Sequence, residues 1–209
     1  MISFPTPTPP TCLIAFSVET PTPSFHGKTS LPFQDCKVEK RTLLLTNQHF
    51  QCAYCETPLS DNGDATHLDH MESQGDNGGN PKRRFDITNL VAACQKDHTC
   101  GHSHKDNPVP DELNPYLASN LHAAFECDSG GELISVGLSE SAATYAFARL
   151  NLNDPGLQSE RSRVIAKLRQ YTIALGVGAR KKIKSLSTSN TGFISLHIQE
   201  LGRFGFKAP

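Results

Sequence analysis

Two pairs of cysteines constrain this chain more than any other feature. Cys52-Ala53-Tyr54-Cys55 is a C-x2-C turn, and a second pair, Cys94 and Cys100, begins 39 residues beyond Cys55. Tetrahedral zinc takes four soft or borderline ligands, commonly delivered as two such pairs. The first pair has the usual spacing. The second has five residues between its cysteines, so His98 competes with Cys100 for the fourth place. Four protein ligands leave zinc no open position, so the knuckle reads as structural.

The remaining cysteines, Cys12, Cys36 and Cys127, bring the total to seven, an odd number. The start of the chain lacks a cationic segment and is broken by prolines, so it does not read as a secretory signal. A disulfide framework is therefore not expected, and these three thiols have no assigned role beyond simple packing. No run approaches the roughly 20 apolar residues of a membrane span. A cytoplasmic protein is the expectation. Hydrophobic residues make up 37% of the 209-residue chain and aromatics 7%, which suits a modest core with long loops.

Charge is unevenly spread. Residues 1–160 hold 10 Lys/Arg against 20 Asp/Glu, whereas 161–209 hold 10 against Glu200 alone. A basic C-terminal region on an acidic body suits a polyanion or an acidic partner surface, and equally a solvated helix face.

Along the chain, residues 1–35 are rich in Pro and Thr and are expected to run extended or to be pinned on a partner. Lys37 to His49 reads as a helix with Val38, Leu44 and Leu45 among its apolar positions. Ala65 to His70 is a short strand, and Met71 to Arg84 is a loop carrying Gly75, Gly78, Gly79 and Pro81. Ile87 to Cys94 returns apolar. His122 to Cys127 and Glu132 to Val136 flank Asp128-Ser129-Gly130-Gly131, a hairpin signal. Ser139 to Leu150 looks helical. Asp154-Pro155 then offers an N-cap and a first-position proline for a helix that should stop at Gly176. Val164, Ile165, Leu168, Thr172 and Leu175 form its apolar stripe.

Between the cysteine pairs lies His67-Leu68-Asp69-His70; Asn89-Leu90 comes later, and Gly101-His102-Ser103-His104-Lys105 follows Cys100. Phosphodiester hydrolysis needs a base to activate water and a divalent cation at the scissile phosphate. Histidine suits the first task and a carboxylate suits a hard cation. In a strand, Asp69 and His70 point to opposite faces.

The ordered set Cys52-x2-Cys55, Asp69-His70, Asn89-Leu90, Cys94, Cys100 and His102-x-x-Lys105 resembles the HNH nuclease family. That resemblance implies an α+β, mostly helical chain: a ββα-metal finger stapled by a four-cysteine zinc knuckle, then a β-hairpin and C-terminal helices. It implies His70 as general base, Asp69 as ligand of a catalytic Mg²⁺ or Mn²⁺, and Asn89 as the brace of the loop. The last metal ligand is His102 or His104, with His102 favoured for its spacing to Lys105. The extra Gly101 departs from the family pattern. His67 is a neighbouring group or alternative ligand. Lys82, Arg83, Arg84 and Lys105 are the expected phosphate contacts.

Longer stretches, among them "RFDITNLVAACQKDHTCGH" (84–102) and "NPYLASNLHAAFECDSGGEL" (114–133), resemble the PtuB-type nucleases of Septu and retron-linked anti-phage systems. This implies a PtuA-type ATPase partner, a retron reverse transcriptase with its RNA–DNA product, and a DNA or RNA substrate. The implied layout is an N-terminal arm (1–35), a nuclease core (36–110) and a hairpin with basic helices (111–209). The Pro-rich arm and the basic helices are the candidate docking surfaces. A non-catalytic zinc module that binds nucleic acid or bridges partners is the competing reading.

Overall fold

The computed structural model describes residues 1–17, 31–61, 66–73, 79–105, 107–175, 178–187 and 192–203. Two helices come first, α1 (Thr11–Ser17) and α2 (Leu31–Asn47). Strands β1 (Thr66–His70) and β2 (Leu90–Cys94) pair antiparallel, with Thr66 opposite Cys94 and His70 opposite Leu90. Helix α3 (Cys100–His104) completes a ββα unit. A second antiparallel pair, β3 (Phe125–Cys127) and β4 (Leu133–Ser135), precedes α4 (Glu140–Thr144), which runs on into a π-helical turn at Tyr145–Arg149. Helices α5 (Pro155–Leu175), α6 (Ala179–Ser187) and α7 (Ile194–Arg203) follow. The mixed, roughly half-helical architecture is the one expected. Among the described residues, no helix is long and apolar enough to cross a membrane.

β2 is buried along its whole length, which suits its Leu-Val-Ala-Ala-Cys sequence. A buried strand must satisfy its free edge. Gln48, at the end of α2, does this with its side-chain amide. Its Nε2 donates to the Ala92 carbonyl at 2.8 Å and its Oε1 accepts from the Ala92 N–H at 2.8 Å. On α2 the inward stripe is Cys36, Lys40, Leu44 and Leu45, spaced for one helical face. Val38, another of its apolar positions, is 54% exposed, because it lies on the opposite side of the helix.

The first residues depart from the expected extended arm. They are pinned, but to this chain itself. Met1, Ile2 and Phe4 are buried in the main core. The Phe4 N–H donates to Pro115 O at 2.8 Å, and Asn47 Nδ2 donates to Pro5 O at 2.9 Å. Thr11–Ser17 is helical, since the prolines end just before it, and Leu13 is fully buried. A disulfide joins Cys12 and Cys36, correcting the expectation that the chain has no disulfide. α1 packs on α2, so the two Cα atoms stand 5.7 Å apart, within bridging range.

The hairpin is shorter than its sequence signal, because Leu121–Ala124 forms a 3-10 turn. Asp154 caps α5 as expected, accepting from the Gly156 N–H at 2.8 Å. The expected stop at Gly176, and Ala65, Gly75 and Gly78, lie outside the described residues.

Candidate active site and metal centre

The four cysteines gather as the spacing suggested. Their sulfurs all lie within 4.8 Å of one another, and all four residues are buried. Cys52 and Cys55 come from the turn after α2, Cys94 from the end of β2, and Cys100 from the start of α3. His98 is exposed and takes no part. Cys55 Sγ and Cys94 Sγ are 3.7 Å apart. A tetrahedron with metal–sulfur bonds of about 2.3 Å places its sulfurs about 3.8 Å apart, so the cage fits zinc. Four crowded, water-free thiols cannot all ionise unaided. Burial pushes Cys52 well up and its sulfur neighbours push Cys100 well up, whereas hydrogen bonds from Cys100, Cys52 and Cys94 hold Cys55 well down. A divalent cation would relieve this competition.

Asp69 sits beside the cage. Its Oδ2 accepts from the Tyr54 hydroxyl at 2.6 Å and lies 2.8 Å from His104 Nε2. Its Oδ1 lies 3.6 Å from His67 Nε2. Burial opposes ionisation of this carboxyl. Hydrogen bonds from His104 and Tyr54, the nearby His67 ring and the charge of His104 outweigh burial and hold it well below the usual carboxylate range.

His104 is locked from its other side. Nδ1 lies 2.9 Å from Asn107 O, a carbonyl that also accepts from the Tyr145 hydroxyl at 2.6 Å. A carbonyl cannot donate, so Nδ1 carries the proton. Nε2 then faces a carboxylate oxygen, either as an imidazolium N–H or as a lone pair with a cation to share. Backbone-braced histidine beside carboxylate is a donor set that fits a divalent ion.

His102, the favoured ligand from the sequence, points elsewhere. Its ring is partly exposed and packs edge-on against His67, with centroids 5.5 Å apart. The helix explains this. His104 stands four residues after Cys100 and follows it onto the inner face, whereas His102 falls half a turn away.

His70, on the opposite face of β1, places Nε2 2.9 Å from the Arg84 carbonyl. That carbonyl fixes the tautomer with its proton on Nε2. Asn89 is fully buried and braces the loop. Its Oδ1 accepts from the Glu72 N–H at 2.8 Å, and its Nδ2 donates to Glu72 O at 3.0 Å and Arg83 O at 3.2 Å.

The expected phosphate contacts divide. Lys82 and Lys105 are exposed, and Arg84 is half-buried. Arg83 is held within the loop by Glu72 at 3.0 Å and Asp86 at 3.1 Å. Sequence reasoning missed Tyr54 and the close fit of Gly101. The only trace of the first was an aromatic ring inside the C-x2-C turn.

Residues 52–104 match the family described as HNH endonuclease. This segment of the chain is an HNH endonuclease domain. The match begins at the first knuckle cysteine and ends on His104, so it encloses the cage, both strands and the Asp69 site. No curated protein matches the chain.

Proposed function

We propose that the chain is a divalent-metal-dependent HNH nuclease that hydrolyses phosphodiester bonds of DNA or RNA. The observation that carries this reading is the buried Asp69–His104 pair, with His104 oriented by the Asn107 carbonyl, inside the HNH segment. A bare zinc knuckle has no use for such a pair.

In this reading Cys52, Cys55, Cys94 and Cys100 hold a structural zinc, and Asp69 and His104 hold Mg²⁺ or Mn²⁺. The bound divalent ion supplies positive charge at the scissile phosphate and the leaving oxygen. His70 takes a proton from the attacking water at Nδ1, its Nε2 being committed to Arg84 O. Asn89 keeps the loop carrying that carbonyl in place. Lys82 and Lys105 offer charge to the flanking phosphates.

We extend the proposal to a PtuB-type effector of a Septu or retron-linked defence system, working with an ATPase of the PtuA type. The support is the order of sequence blocks from 52 to 168. The test is cleavage of plasmid DNA and of total RNA in Mg²⁺ or Mn²⁺, with and without that partner. His70→Ala and Asp69→Asn are expected to lower the rate by about 100-fold or more with the fold intact. Wild-type protein that cleaves neither polymer, even with the partner, would instead favour a non-catalytic zinc module.

A further inference from the structure

The zinc cage and the Asp69 site are joined by two residues that ligate nothing. Tyr54 lies between Cys52 and Cys55 in the knuckle turn, and it is fully buried. Its hydroxyl donates to Asp69 Oδ2 at 2.6 Å, and its ring meets the His104 ring edge-on at 5.9 Å. Gly101 directly follows Cys100. A Cβ placed there would stand 2.9 Å from Asp69 Cγ and 3.1 Å from Oδ1. The carboxylate is therefore bounded on one side by a side chain from the first cysteine pair and on the other by a bare backbone beside the second.

We infer that the knuckle is a positioning device for the Asp69 carboxylate, acting through Tyr54 and Gly101. The geometry is directional. A carboxylate offers about four lone-pair sites. Tyr54 occupies one on Oδ2 and so restricts rotation of the group. A side chain at 101 could not be met by swinging Asp69 aside without breaking its bonds to Tyr54 and His104. Only glycine lets α3 approach this closely. Tyr54 and Gly101 are positioning residues: they act through Asp69. This inference rests on the reading of Asp69 as a ligand of the divalent ion.

The experiment uses the full zinc-loaded chain and titrates Mn²⁺ by calorimetry, with zinc content and melting temperature measured alongside. Asp69→Asn identifies the binding that depends on this carboxylate. Tyr54→Phe is expected to keep its zinc and to weaken Mn²⁺ binding about 10- to 100-fold, the usual cost of losing a group that orients a ligand. Cleavage by this variant should fall at low Mn²⁺ and recover as Mn²⁺ is raised, with the KM for nucleic acid unchanged. Gly101→Ala should likewise keep zinc and lose Mn²⁺ affinity, which gives a second reading if Tyr54→Phe folds poorly.

Mn²⁺ affinity equal to wild type in both variants overturns the inference. So does loss of zinc in both, since the two residues would then support the cage and not the carboxylate. Wild type with no Asp69-dependent Mn²⁺ binding overturns it as well. A wild type that binds Mn²⁺ through Asp69, with both variants weakened, but cleaves nothing would support the inference and sink the nuclease reading alone.

Discussion

Among the described residues stand two small antiparallel sheets, β1–β2 and β3–β4, closed by the same device. In each, a glutamine from a helix lays its amide along a strand edge. Gln48 pairs with Ala92 on β2. Gln199, on α7, pairs with Cys127 on β3, accepting from its N–H at 3.1 Å and donating to its carbonyl at 2.8 Å. A lone two-stranded sheet is marginal in water, so each needs outside support. The supports differ. The first sheet leans on four cysteines and α3. The second leans on helices: Arg161 of α5 donates to Gly131 O at 2.8 Å, and Arg203 of α7 donates to Cys127 O at 2.9 Å. One sheet is organised by ligand chemistry and carries Asp69 and His70. The other is organised by packing and carries no candidate catalytic group.

The largest expected effect separates these supports. With zinc in the cage as proposed, its removal by chelation or by Cys94→Ser should release the first sheet and leave the second standing. Binding free energies of structural zinc run to about 10 kcal/mol or more, comparable to the stability of a whole domain. Hydrogen exchange reads the outcome: amides of 90–94 should lose protection while those of 125–127 and 133–135 keep theirs. Equal loss in both sheets would show that they fold as one unit, and the contrast between them would fail.

A smaller effect sharpens the same contrast. Gln48 is fully buried, whereas Gln199 is half-buried. Gln48→Ala strands the Ala92 N–H in a dry interior and leaves a cavity, costing about 3 kcal/mol. Gln199→Ala also removes the acceptor of the Cys127 N–H, but at a half-buried position where water can take its place. The Cys127 carbonyl keeps its bond to Arg203, so the cost should be about 1 kcal/mol. Urea midpoints for the two variants would show it. A reversed order would mean that the second sheet carries more of the fold than its supports suggest.

Both sheets were legible in the sequence, the second from its Asp128-Ser129-Gly130-Gly131 turn. The first sheet was readable because its restraints are chemical: cysteine spacing, the Asp69-His70 pair and the apolar run to Cys94. Periodicity also placed α5, with Ile165 and Leu168 buried and Asp154 as its cap. The choice of His102 over His104 came from motif spacing to Lys105. Counting four from Cys100 along the helix points to His104 instead. Tyr54 and Gly101 were hidden because their roles arise from contacts with Asp69, which is distant from both in sequence. The Cys12–Cys36 bridge was hidden because it depends on α1, a helix obscured by its proline-rich flanks. Lys40 occupies a buried stripe position where the pattern asked for an apolar residue; burial, and then Lys37, pull its pKa down to about 7.

A further effect, conditional on pH, tests the link between the two halves. α7 reaches from the knuckle to the second sheet. The Phe193 N–H donates to Glu56 O at 2.8 Å, next to Cys55, and six residues on Gln199 holds β3. His197 lies between them on that helix. It is 3% exposed, and its Nδ1 has no hydrogen-bond partner among the described residues. Burial pushes its pKa down from 6.5 to about 4, against a weaker opposing pull from Glu56. Between those two values the unfolded chain binds a proton that the folded chain refuses. Stability should therefore be insensitive to this group above pH 6.5 and should fall as the pH drops from 6.5 towards 4. Each tenfold difference in proton affinity is worth about 1.4 kcal/mol, so the loss at pH 5 is about 2 kcal/mol. Release of the proposed zinc and protonation of buried carboxylates would also weaken the fold in acid, so the measurement is a difference. Urea unfolding of wild type and His197→Gln is followed from pH 8 to pH 5. The variant should lose about 2 kcal/mol less over that range. Parallel curves would mean that α7 lets water reach His197, and that the clasp between knuckle and second sheet is looser than its hydrogen bonds indicate.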